Sequence, residues 1–83
     1  MIDYNTFKHE VFYFLNKKYK ITHIKDDTNE IVFYFEENFV YHFSTLHLEH
    51  FYNVETNRGN GVEQAVDFFS NYIEIDWLRR IKK

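Results

Sequence analysis

Ile31-Val32-Phe33-Tyr34-Phe35, then Glu36-Glu37-Asn38, then Phe39-Val40-Tyr41-His42-Phe43 is the stretch whose reading decides the fold. Two β-rich runs flank a short polar segment, the pattern of a hairpin. Parity selects the loop. A three-residue turn sets Phe35 opposite Phe39, so every odd position faces one way: Ile31, Phe33, Phe35, Phe39, Tyr41 and Phe43, all apolar. The other face carries Val32, Tyr34, Val40, His42 and Ser44, a mixed set. A two-residue turn would scramble both faces, and slipping a strand by one residue moves its buried set to solvent. Asn38 suits the left-handed position that such three-residue loops require.

Working outward, Asp26-Asp27-Thr28-Asn29 is turn chemistry, and Tyr19 to Lys25 before it reads as a further short strand. Upstream, Tyr4, Phe7, Val11, Phe14 and Leu15 fall on one stripe at helical spacing. This predicts a helix over about Asn5 to Lys18, capped by Asp3 or Asn5, with Lys17 and Lys18 at the negative end of its dipole. Downstream, Leu46, Leu48, His50, Tyr52 and Val54 alternate, so 44–54 is expected to form a fourth strand. The alternative has Ser44 capping a short helix. Glu55 to Gly61 is expected to be a loop into a second helix, with Asn60 and Glu63 at capping-box spacing and Val62, Ala65, Val66, Phe69, Tyr72 and Ile73 as its stripe. Mixed periodicity after Asn71 predicts a break near Asn71 or Glu74 and a separate terminal helix. The expected fold is α+β: one domain over 1–83, an antiparallel meander of three or four strands packed against an N-terminal and a C-terminal helix, α-β-β-β-(β)-α.

Eighty-three residues, 45% hydrophobic with ten Phe and seven Tyr, suffice for one aromatic core. With no Cys, no signal-like N-terminus and no apolar run of membrane-spanning length, the chain is expected to be cytoplasmic. Nearly half the residues are Asn, Ile, Lys, Phe or Tyr, whose codons are A/T-rich, as in low-GC bacteria and their phages; a phage protein would work in the host cytoplasm.

Chemistry-bearing motifs are sparse. His42, His47 and His50 lie close together, but zinc needs converging donors, and on a strand His47 and His50 point to opposite faces. No metal or other cofactor is expected. The Arg58–Gly61 loop matches no phosphate-binding fingerprint, and Glu63 and Asp67 in the following turns would repel an anion. No serine sits in a nucleophile elbow. An enzyme is therefore not expected, the His-centred metal or nucleic-acid-handling enzyme standing as the last alternative.

The α-β-β-β-α order resembles the double-stranded RNA-binding domain across most of the chain. That family implies a Lys cluster at the start of its last helix, where this chain has Gly61, Val62, Glu63, Gln64 and Ala65. Acid stands where base is needed, so direct nucleic-acid binding is disfavoured. Charge is segregated instead: Asp26 to Asp76 holds eleven carboxylates against the single cation Arg58, a net of −10. Such a run can steer a basic partner. Phe12, Tyr13, Phe51, Phe68, Ile75 and Leu78 lie off the expected core faces, a surplus that marks interfaces.

In size, charge and element order the chain resembles small acidic α+β phage proteins, including anti-CRISPR proteins that occupy the DNA groove of a nuclease. The resemblance implies a non-enzymatic inhibitor or adaptor docking on a protein with a basic surface. Asp26, Asp27, Glu30, Glu36 and Glu37 would mimic phosphates on the hairpin turns, with Tyr34 and Glu49 also in the contact. A homodimer or assembly subunit built on the surplus aromatics is the alternative.

Overall fold

The computed structural model describes residues 2–36 and 39–81, with the side chains of 77–81 outside the description. Helix α1 (Tyr4–Lys18) leads into strands β1 (Ile21–Asp26), β2 (Glu30–Phe35) and β3 (Val40–Ser44), followed by helices α2 (Thr45–Arg58) and α3 (Gly61–Ile81). The strands form one antiparallel sheet in the order β1-β2-β3. The architecture is α+β, α-β-β-β-α-α.

The hairpin register follows its parity. Phe33 faces Tyr41 and Ile31 faces Phe43 across β2 and β3, and the Phe35 N–H donates to Phe39 O at 2.8 Å. Glu37 and Asn38 lie outside the described residues. Ile31, Phe33 and Phe43 are buried, with Phe35 and Tyr41 packed at the margin of the core. They meet Phe7, Val11 and Leu15 of α1, Leu48 of α2, and Ala65, Phe69 and Ile73 of α3. Rings dominate the centre: Phe33 sits edge-on to Phe12, Phe43 and Phe69, and Phe43 and Phe69 lie 4.8 Å apart. The outer sheet face has no helix in its cluster. Val32 is nonetheless buried there, between its cross-strand neighbours Lys25 and His42.

Strand β1 begins at Ile21, because Tyr19 instead closes α1, its N–H donating to Leu15 O. Ile21 and Ile24 are three apart and would face opposite ways on a regular strand. A bulge between Ile21 and His23 resets the alternation, so both reach the core side.

Two expectations are corrected. The alternating segment 44–54 is not a fourth strand. Ser44 leaves the sheet in an extended conformation and caps α2, its Oγ accepting the Leu46 N–H at 3.2 Å. Thr45 is tied back to the β1–β2 turn through Asn29 O and Thr28 O, which turns the chain out of the sheet. The helix runs on through Glu55 to Arg58, where a loop was expected, and turns Leu48, Phe51, Tyr52 and Glu55 to one side, at i, i+3, i+4 and i+7, with Leu48 buried and the other three half-buried. Tyr52 packs on Tyr4 and Phe7, and Phe51 on Phe68. This also removes Phe51, Phe12 and Phe68 from the surplus, since all three pack against the core.

The second correction is at α3, which runs unbroken through Asn71 and Glu74. Ala65, Phe69 and Ile73 continue a single four-residue stripe, so tertiary burial carries the helix through the mixed sequence. Its first turn is capped by a neighbour: Val62 N–H donates to Glu55 Oε1 on α2, at 3.1 Å. Gly59, at φ 80, closes α2 in the left-handed conformation, and its N–H donates to Glu55 O.

Candidate functional site

The expected docking carboxylates do not form one surface. Asp26, Asp27 and Glu30 sit at the β1–β2 turn and Glu36 just past the far end of β2. Six strand residues separate the two groups by about 20 Å. Most of these acids also have basic neighbours. Asp26 pairs with Lys8 at 2.6 Å, Asp27 lies 3.9 Å from Lys25, and Glu30 meets His42 Nδ1 at 2.6 Å. Glu36 shares the rim of a 260 Å³ hollow with Lys18 and Lys20. Glu37 is outside the described residues. Tyr34 stacks beside His23 on the outer sheet face. Glu49 is exposed on α2 and, with Asp26, adds negative charge near Tyr4, whose phenol burial already holds above its ordinary pKa.

The histidines are dispersed in role. His42 pairs with Glu30, His47 packs on Phe68 and His50 on Phe51. Among the described residues no three His, Asp or Glu side chains are placed to hold a metal ion.

Unpaired acid gathers elsewhere, between α1 and α3. A groove of about 690 Å³ runs along their junction. Phe14, Val62 and Val66 supply its apolar lining, and Glu10, Glu63 and Asp67 its acidic one. Helical spacing builds it. Glu10, Phe14 and Lys17 lie beside the buried row Phe7, Val11, Leu15, while Val62 and Val66 lie beside Ala65 and Phe69. Glu10, Glu63 and Asp67 are exposed and make no salt bridge among the described residues. The cations sit toward the C-terminus of α1 and are engaged: Lys17 lies 4.8 Å over the Tyr13 ring, and Lys18 Nζ donates to Ser70 Oγ at 3.2 Å. An apolar strip bordered by free carboxylates can accept an extended or helical segment whose oily side chains alternate with Lys or Arg.

Sequence reasoning placed Phe14, Val62 and Val66 in the core and left Glu10 outside the acidic run. Phe14 is 44% exposed, and both valines are only partly buried. No local signal marks these positions, because the groove joins elements about fifty residues apart. No family model, curated protein or solved structure matches the chain. Among the described residues no helix is long and apolar enough to cross a membrane.

Proposed function

We infer that the chain is a small non-enzymatic binding module that docks a basic, amphipathic segment of another protein along the α1–α3 groove. The observation that carries this reading is the meeting of exposed Phe14 with the unpaired Glu10, Glu63 and Asp67 along one concavity. Apolar contact supplies affinity and the carboxylates supply orientation and encounter rate. The finer form of the reading is inhibition: a partner that uses the same basic segment to hold nucleic acid cannot hold both. The acidic groove favours a protein segment over nucleic acid as the partner, since its carboxylates would repel phosphates.

The test is affinity capture from the native host at low and high salt, with the chain and with a Glu63→Lys/Asp67→Lys variant as baits. A partner retained at low salt, released at high salt and lost with the variant is the expected result. A partner indifferent to both salt and charge reversal overturns the groove as the docking site.

A further inference from the structure

The two edges of the sheet are treated differently. The β1 edge is irregular and charged: it carries the bulge between Ile21 and His23, and Lys25 and Asp26, the latter bound by Lys8. These are the devices that keep sheet edges from pairing. The β3 edge has none of them. Val40–Ser44 is regular against β2, with no bulge, no Pro and no Lys, Arg, Asp or Glu.

Its backbone groups are available. Phe35 with Phe39 is a hydrogen-bonded pair, so Phe33 with Tyr41 and Ile31 with Phe43 are too, and the residues between alternate. Val40 and His42 therefore direct their N–H and C=O groups away from β2, and Ser44 its N–H, while the Ser44 C=O opens the α2 ladder. Alongside this edge runs a second groove of about 690 Å³, between β3 and α3, lined by Val40, Tyr72 and Ile75. These are three of the six large hydrophobic side chains most exposed among the described residues, the other three lying on α1 and α2.

We propose that β3 pairs antiparallel with β3 of a second copy of this chain, making a six-stranded sheet across a two-fold axis at His42. Charge selects that occupant. At a two-fold axis a charge meets its own image, so the residues beside the axis of a self-pairing strand must be close to neutral while the molecule carries −3. The strand carries no Lys, Arg, Asp or Glu, and the two acids beside it are engaged, Glu30 by His42 Nδ1 at 2.6 Å and Asp76 by the Tyr41 hydroxyl at 2.7 Å. The strand is also self-complementary about its middle residue. Centring on His42 overlaps all five residues, sets Val40 against Ser44 of the partner copy, and lets the His42 and Ser44 N–H groups donate to the His42 and Val40 carbonyls of the other copy. Tyr72 and Ile75 then face the same pair on the other copy over the inner layer. This face is distinct from the α1–α3 groove, so its failure leaves the groove reading standing, and the reverse.

Light scattering from micromolar to millimolar concentration tests the association, and a cross-link tests the register. The intact chain is expected to reach twice its 10.4 kDa mass. The chain contains no Cys, so His42→Cys introduces the only thiol. A hydrogen-bonded cross-strand pair has Cα atoms about 5.5 Å apart, within the roughly 4.4–6.8 Å that a disulfide spans. His42→Cys should therefore link two copies under mild oxidation, while His23→Cys at the opposite edge should not. Ile75→Lys, at an exposed site that folding tolerates, should return the chain to its monomer mass. A wild-type chain that stays monomeric throughout overturns the proposal. So does a dimer that Ile75→Lys leaves intact or that His42→Cys fails to link.

Discussion

Gly59 and Gly61 stand two residues apart and are required for different physical reasons. Gly59 has open space where a Cβ would go, but its φ of 80 is strained for any L side chain. Gly61 has an ordinary backbone and no room: a Cβ there would overlap the Phe51 carbonyl oxygen and the Glu55 backbone nitrogen. Those atoms belong to helix α2 and cannot step aside as a flexible side chain would. Gly61→Ala is expected to cost about 1–3 kcal/mol through overpacking. For a domain of this size each 1 kcal/mol lowers Tm by about 4–8 °C, which thermal unfolding would register. Asp3 makes a second residue-scale prediction. The Thr6 N–H donates to its Oδ1 at 2.7 Å, and this bond holds the carboxyl below its ordinary pKa. A depressed carboxylate pKa contributes stability above the unfolded value and loses it as pH falls through the folded one. The cap should thus be intact at neutral pH and fail only in acid, below about pH 4. The Thr6 amide shift should titrate with it, and Asp3→Asn should abolish that titration.

At the scale of elements, α2 decides how the middle of the chain is organised. Its sequence satisfies two periods at once, because Leu46, Leu48, His50, Tyr52 and Val54 alternate while Leu48, Tyr52 and Glu55 also share a helical face. What breaks the tie is tertiary: Thr45 is anchored on the β1–β2 turn, and Leu48 reaches the core beside Phe7 and Phe69. Neither contact is visible from local sequence. The helix and the strand make opposite forecasts for two leucines. On a strand Leu46 and Leu48 would share one face. On α2 Leu48 is fully buried and Leu46 is 69% exposed. Leu48→Ala should cost about 2–5 kcal/mol, and Leu46→Ala no more than about 0.5 kcal/mol, in denaturant unfolding. Equal losses would contradict the helix. The hairpin, by contrast, was legible to the residue, because its register follows from the one turn length that keeps six apolar side chains on one face.

At the scale of the whole molecule, the acids that crowd together in sequence at the β1–β2 turn meet basic partners from other elements among the described residues. Asp26 is neutralised by Lys8, eighteen residues upstream, and Glu30 is hydrogen-bonded to His42 Nδ1. A linear count of carboxylates cannot see such pairs. Unpaired acid also lies on α1 and α3, and only their packing brings Glu10 within reach of Glu63 and Asp67. Removing acid from the hairpin ends should therefore matter less than removing it from the groove. Glu36→Lys is expected to leave the affinity for a captured basic partner within about twofold, a change of at most about 0.4 kcal/mol, whereas Glu63→Lys/Asp67→Lys should weaken it at least about tenfold, roughly 1.4 kcal/mol.

The most direct measurement is an amide chemical-shift map of the labelled chain on adding the captured partner. Docking along α1 and α3 predicts perturbations at Glu10, Phe14, Val62, Val66 and Asp67, with the β1–β2 turn and Tyr34 unmoved. Perturbations confined to Asp26, Asp27, Glu30 and Tyr34, with the groove residues silent, would contradict it.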